Sequence, residues 1–439
     1  MITHRFWRLL AGGLHHHREF RRLLAGQTIS MFGNQVTLLA LPTVAIMALH
    51  CGPMELGLLG VMLFLPSPLL SMAAGVFIDR LPKRPVMVWS EVGRMLTLAS
   101  VPVAFALDAL TINQLYAVAF ITGTLTVFFE VAYLSFLPGL VEDYDLLEGN
   151  TRLEIYRSVS TVAGPALAGL LIQILGAARA ILLDTATFVV STLTLASIRK
   201  PEPAPSAPDG VDGFLKELRQ GMLVVGRNPL LRCIAACSAT SNFGAFMFGA
   251  VILVFAYHDL HLAPVLVGAI LAAGNVGFVL GAMIAPRIAR RLGLGRTLAL
   301  SQLMFGVGLI TTPLALFGLP ALVLGMSQLL VNLQVPIYNI NQVALRQAIT
   351  PRPLQARMHA TMRAVILSTI PVGSFAGGWM GLHAGVVQTL LIGAAVSIVA
   401  PLWILAGPVI ALKTHPAEPA PEPATPRTLP ALQPAQAAH

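Results

Sequence analysis

The chain has 439 residues, 56% of them apolar and 11% charged, with a mean hydropathy of +0.77. Soluble domains carry about 25% charged residues, so a set of ordinary water-soluble domains is excluded and a polytopic membrane protein is indicated. A net charge of +9 would suit nucleic acid, but the cations are spaced along the chain as a membrane-orientation signal, and no nucleic-acid partner is expected.

A spanning helix needs roughly 20 mostly apolar residues to cross a hydrocarbon core about 30 Å thick. Residues 1–22 form a basic cytoplasmic segment in which His15, His16 and His17 adjoin Arg18. Residues 23–198 then hold six candidate spans: Leu23 to Leu49, Leu56 to Ile78, Pro85 to Leu107, Leu115 to Leu137, Ile155 to Leu175 and Ala180 to Ile198. The first is too long for a signal-peptide core and has no small-residue cleavage site behind it, so it is expected to be retained. The break at 199–229 opens with the Pro-rich "RKPEPAPSAPDG" and continues as "FLKELRQGMLVVGR". These read as a linker followed by an amphipathic helix on the cytoplasmic membrane surface. Residues 230–412 hold six more spans: Cys233 to Tyr257, Val265 to Ala285, Thr297 to Phe317, Ala321 to Ala344, Ala364 to Leu382 and Val386 to Leu412. The Pro/Ala-rich tail, 413–439, is expected to be disordered.

If the N-terminus is cytoplasmic, the connections on the outer side carry only Arg179 of the 28 Lys and Arg residues. This asymmetry supports twelve spans with both termini inside. The halves also repeat: "GVFIDRLPKR" from Gly75 is echoed by "GAMIAPRIARR" from Gly281, and "GPALAG" at Gly164 by "VGSFAG" at Val372. A duplicated six-span unit with a site between its copies is a transporter architecture. Cys51, Cys233 and Cys237 read as packing residues, and neither a disulfide nor a metal site is expected.

The knot "GVFIDRLPKRP" holds Asp79, Arg80, Lys83 and Arg84 within six residues. The three cations can anchor the loop on the cytoplasmic face, but orientation gives the acid no role. An acid at a helix end pairs with a neighbouring helix N-terminus or an arginine, and such a bond makes a latch. Glu91 and Arg94, three apart in the third span, can satisfy one another. Glu130 in the fourth span and Asp184 in the sixth are the acids in apolar surroundings, and an intramembrane acid is a candidate proton carrier. Glu130, with no partner in its own span, is the first choice and Asp184 the second. Uncharged polar groups gather in spans 1, 7, 8 and 10: Asn34, Gln35, Asn242, Asn275, Asn332, Gln334 and Asn339, followed by Asn341 and Gln342. They are candidates for lining a substrate cavity, with Pro336 breaking the helix among them; hydrogen bonding between helices is the competing account.

With Gly75, Asp79, Arg80, Lys83 and Arg84 matching a G-x-x-x-D-R-x-x-[KR]-R pattern after the second span, the chain resembles the major facilitator superfamily. Gly164, Pro165 and Gly169 look like the span 5 motif of its antiporter branches. "FRRLLAGQTISMFGNQVTLLALP" and "GNTRLEIYRSVSTVAGPALAGLL" resemble the macrolide-efflux and enterobactin-exporter group of drug:proton antiporters. That group often has an acid after the span 1 glycine; this chain has Asn34, which cannot exchange a proton. The resemblance implies an all-α fold of two six-helix bundles and proton-driven export of an amphipathic solute such as a macrolide, another drug or a siderophore. It also implies Asp79 latching the halves against the start of span 11, near Arg363 and His359, in the outward-open state. Gly274, Gly277 and Gly281 in span 8 offer a smooth face to span 5.

No Walker A pattern occurs, and neither a catalytic constellation nor a cofactor is expected. The expected partners are a small-molecule substrate, protons and the bilayer, with the chain a monomer. A proton-coupled importer and a transport-inactive receptor or scaffold of the same fold are the alternative readings.

Overall fold

A computed structural model describes residues 17–140, 146–199 and 220–412, all helix and short connections without a strand. Most of the basic N-terminal segment, the Pro-rich linker and the Pro/Ala tail lie outside the described residues. Residues 220–227 are helical.

Helix α1 is Arg18–Met47; α2 runs as Pro53–Phe64 and, past Leu65, as Pro66–Asp79; α3 is Lys83–Ala106, α4 Ile112–Leu140, α5 Leu146–Leu175 and α6 Ala177–Ala196. In the second half α7 is Pro229–Val254 with a π turn at Phe255–Asp259, and α8 is Pro264–Leu292. Helix α9 is Leu294–Ile310 with a 3-10 turn at Thr312–Phe317, α10 is Pro320–Ile349, α11 Arg352–His383 and α12 Val386–Val399 with a last turn at Leu402–Leu405. Eleven of these are long and apolar enough to cross a membrane. The exception, α3, carries the ion pair Glu91–Arg94 in its interior.

Successive helices reverse direction, so the connections fall at two ends. The end holding Lys83, Arg84, Arg290, Arg291 and Arg352 is called the basic end here, and the opposite one the far end. The far-end turns record the duplication. His50 after α1 and His261 after α7 hold φ of 52° and 49°, and Asp108 after α3 and Leu319 after α9 hold 50° and 49°. Gly176 after α5 and Gly385 after α11 hold 82° and 98°. Non-glycine residues rarely enter this left-handed region, so its recurrence at matched positions marks two copies of one backbone plan.

The packing repeats as well. In the first half α1 packs on α5 and α6, α3 on α4 and α6, and α2 on α4; the second half repeats every pair, six helices later. The halves join through α5 against α8 and α2 against α11, again a matched pair. Towards the far end one buried apolar cluster runs through both halves, from Val36 and Phe188 to Phe248 and Leu390, whereas towards the basic end each half has a cluster of its own, around Ile78 and Leu195 in the first and Leu298 and Leu345 in the second.

Candidate functional site

The seam is tightest towards the far end, where it is made of glycine. A methyl added at Gly57 of α2 would lie 2.6 Å from the Gly378 Cα of α11, and one at Gly381 would lie 2.5 Å from Pro53 Cβ. On the matching side, a methyl at Gly169 of α5 would lie 2.9 Å from the Gly268 Cα of α8. Carbon atoms otherwise separate by about 3.5–4.0 Å, so these backbones approach as closely as small residues allow. Thr43 and Tyr257 add a buried hydroxyl pair at 3.1 Å across the halves, and Phe64 meets Phe246 edge to face at 5.7 Å.

Towards the basic end the cross-half bonds are polar. Asn275 of α8 donates to the Thr161 carbonyl of α5 at 2.6 Å, and Arg363 of α11 meets Glu130 of α4 at 3.7 Å. Both members of the latter pair are more than half exposed, at 62% and 57%. Charges avoid lipid, so the pair faces the opening between the halves.

Within the second half lies a cavity of about 220 Å³, lined by Ser238, Ser241, Asn242 and Ala245 of α7, Gln302 and Phe305 of α9, Gln334, Val335, Tyr338, Asn339 and Gln342 of α10, and Ile366 of α11. Its polar groups are neutral amides and hydroxyls. Ser241 donates to Gln302 at 2.8 Å, the Ser238 and Tyr338 hydroxyls lie 2.9 Å apart, and Asn242 donates to the Ser238 carbonyl at 2.8 Å. Gln334 and Gln342 are each buried with an amide oxygen that has no partner.

The first half holds a buried charged cluster. Arg94 bonds Glu91 at 2.9 Å, their side chains 3% and 0% exposed, and Ser191 of α6 donates to the same Glu91 oxygen at 3.1 Å. The Arg94 guanidinium lies between the rings of Phe129 and Phe188, 4.8 and 4.6 Å from their centroids, a cation–π arrangement. Fully buried Asp184 accepts hydrogen bonds from Thr37 of α1 and, at 3.0 Å, from Thr187. Glu91 and Arg94 are its charged neighbours. The cluster therefore places two carboxyl groups beside one guanidinium in the buried interior of the first half.

Several expectations change on this geometry. Glu130 is not an isolated acid in an apolar span, because its partner stands on the opposite half; Arg363, expected beside Asp79, makes that pair. The Asp79 side chain lies outside the described residues. Gly274, Gly277 and Gly281 face α10 rather than α5: methyls there would lie 2.7 Å from Gln328 Cβ, 2.5 Å from the Leu329 carbonyl and 2.8 Å from Pro336 Cγ. The partner of α5 is Gly268, six residues nearer the far end than Gly274.

Of the polar candidates, Asn242, Gln334 and Asn339 line the cavity; Asn34, Gln35, Asn275 and Asn332 do not. Gln35 instead fills the notch left by Gly164, where a methyl would lie 2.5 Å from Gln35 Cγ, beside Pro165. Asn332 bonds the Gln328 carbonyl one turn back at 3.0 Å. Ser238, Ser241, Gln302 and Tyr338 were not legible as cavity residues, since a lone hydroxyl or amide in a span gives no hint of its facing. In the basic loop, Lys83 caps α2 by bonding the Ile78 carbonyl at 2.6 Å, and Arg84 caps α6 through the Leu195 carbonyl at 3.0 Å and that of Ala196. Cations at helix C-termini complement the dipole. Arg80 is exposed, and Gly75 has open space where a side chain would stand.

Two repeated six-helix bundles, closed on each other by glycine at one end and holding a polar cavity within the membrane span, define a membrane transporter. The chain belongs to the Major Facilitator Superfamily, whose model matches residues 23–342. It is 27% identical over 304 residues to the uncharacterized MFS-type transporter YfiS of Bacillus subtilis (strain 168), covering 68% of this chain and 69% of that one. To the multidrug efflux pump Tap of Mycolicibacterium fortuitum it is 24% identical over 374 residues, covering 82% and 88%. To macrolide efflux protein A of Streptococcus pyogenes it is 26% identical over 216 residues, covering 48% of this chain and 52% of that protein. Among solved structures, a bacterial homologue of the iron transporter ferroportin in an inward-facing state superposes with a TM-score of 0.73 at 17% identity, covering 89% and 98%. The family and these relatives are transporters, not enzymes.

Proposed function

We propose that the protein is a secondary active exporter of amphipathic small molecules, driven by protons and working by alternating access in a bacterial inner membrane with both termini cytoplasmic. The observation that carries this reading is the unequal seam. Glycine contacts and an apolar cluster shared by both halves close the far end, whereas towards the basic end the described residues form a separate apolar cluster in each half and an exposed ion pair between them. Under the positive-inside rule that is an inward-facing carrier, ready to collect solute from the cytoplasm. The efflux names of Tap and macrolide efflux protein A favour export.

Asp184 replaces Glu130 as the preferred proton carrier, because it is the surplus acid of a buried cluster while Glu130 is exposed and paired. Its bond to Thr37 ties it to α1, so a change in its charge bears on how α1 and α6 pack. Asp79 is retained as the latch of the opposite state, in which the basic ends approach.

The test is a drug and siderophore susceptibility panel on cells with and without the protein, repeated after the proton gradient is collapsed. The reading expects lower accumulation of at least one amphipathic compound, abolished by the uncoupler. Greater accumulation in expressing cells, or efflux indifferent to the gradient, would overturn it.

A further inference from the structure

The second half of the chain is almost without acids. Between Gln220 and Leu412 the sole Asp or Glu is Asp259, in the π turn at the far end. Yet α10 buries an arginine near the opposite end: Arg346 is 6% exposed, and its Nε has no partner. Among the described residues it makes no ion pair or hydrogen bond, and the ionisable groups within electrostatic reach are Tyr338 and His359, neither of them an anion near neutrality. A buried guanidinium without a counter-charge costs several kcal/mol, so an anion from elsewhere is the natural complement.

The position of Arg346 says where that anion would sit. Tyr338, Gln342 and Arg346 are spaced by four residues and share one face of α10, and the first two line the cavity. Side chains on a helix lean towards its N-terminus, which for α10 is the far end, so the Arg346 side chain rises towards Gln342. Arg346 is not itself one of the residues lining the cavity but stands one turn beyond Gln342 on the same helix face, at the cavity's basic end. Above it Gln342 and Gln334 each keep a buried amide oxygen with no donor.

We propose that Arg346 is the anion-binding residue of this cavity, and that the transported solute carries an acidic oxygen group, such as a carboxylate, with hydrogen-bond donors along its body. The guanidinium fork takes the acid bidentately, and the amide oxygens above it accept from the donors. This rests on the reading of the cavity as a substrate site and sharpens it from amphipathic solutes in general to acidic ones. A cationic drug of the same size would leave Arg346 unpaired and place like charges together.

The experiment uses the purified full-length protein in detergent and two xanthene dyes of similar size, anionic fluorescein and cationic rhodamine 123, read by fluorescence anisotropy. The wild type is expected to bind fluorescein at least tenfold more tightly than rhodamine 123. Arg346→Gln should weaken fluorescein at least tenfold and leave rhodamine 123 unchanged, and Arg346→Lys should restore part of the loss. Because Arg346→Gln can fail on purification, a second variant, Gln342→Glu, supplies an internal counter-charge one turn away. It should raise the melting temperature while weakening fluorescein at least tenfold. Equal affinity of the wild type for the two dyes, no binding of either, equal losses of both in Arg346→Gln, or unchanged fluorescein binding in Gln342→Glu would each overturn the proposal. Binding in detergent involves no gradient and no direction. Failure here with intact efflux in cells therefore removes only the acid site, and intact binding without efflux removes only the export reading.

Discussion

Gly57→Ala is the sharpest test of the glycine seam. The added methyl carbon would stand 2.6 Å from Gly378 Cα, 2.7 Å from the Ser374 carbonyl oxygen and 2.9 Å from Gly378 N. All three are backbone atoms of α11 or lie on its near face, so no rotamer change relieves the clash. Against an ordinary carbon separation of about 3.5–4.0 Å the shortfall is about 1 Å, and α2 and α11 must move apart by that amount. Overpacking of this kind costs about 1–3 kcal/mol. The contact exists only where the far end is closed, so the penalty falls on that state alone and shifts the two-state ratio about 5- to 150-fold. The assay is pulsed EPR on a chain whose three cysteines are replaced by serine, with spin labels at exposed Asp108 and Leu319, far-end positions on opposite halves. Gly57→Ala should move population from the shorter distance to a longer one, and Gly378→Ala should do the same. A distance distribution identical to that of the unsubstituted chain would refute the seam as the closing element.

Asp184→Asn should abolish flux driven by a pH gradient in inverted vesicles, by about tenfold or more, while gradient-free exchange of substrate persists; undiminished pH-driven flux would remove Asp184 as carrier. Glu130→Gln breaks an exposed pair worth about 0–1 kcal/mol, so transport should fall less than about fivefold, and total loss would show that Glu130 has a role beyond the ion pair. Arg94→Gln leaves Glu91 buried without its cation, a loss of about 3–5 kcal/mol. The melting temperature should drop sharply and recover when Glu91→Gln is added. Gln302→Leu removes the acceptor of the Ser241 hydroxyl inside the cavity, so substrate affinity should fall while the melting temperature changes little.

The neighbours of Glu130 in sequence are Phe129 and Val131, and nothing in them announces Arg363, more than two hundred residues away. The spans, their number and the duplication were readable because hydropathy is a local sum and a repeat is a comparison of letters. The matched left-handed turns at His50 and His261 are the three-dimensional counterpart of that comparison. The Glu91–Arg94 pair was readable for the same reason, since three residues on one helix fix their own distance.

The helix faces were decided only by packing. Gly274, Gly277 and Gly281 make a smooth stripe in the sequence, but whether α5 or α10 fills it depends on how the second half closes on itself, and α10 does so. Asn332 and Gln334 are two residues apart in one polar run, yet one turns to its own backbone and the other lines the cavity, because two residues on a helix point about 200° apart. What the sequence by itself determined was a twelve-span, duplicated chain with its cations at one end, since length, apolarity and charge act on each segment separately. Which acid met which base, which glycine met which helix, and where an arginine was buried without a partner were decided by the tertiary structure, because each depends on the relative rotation and crossing of helices distant in the chain.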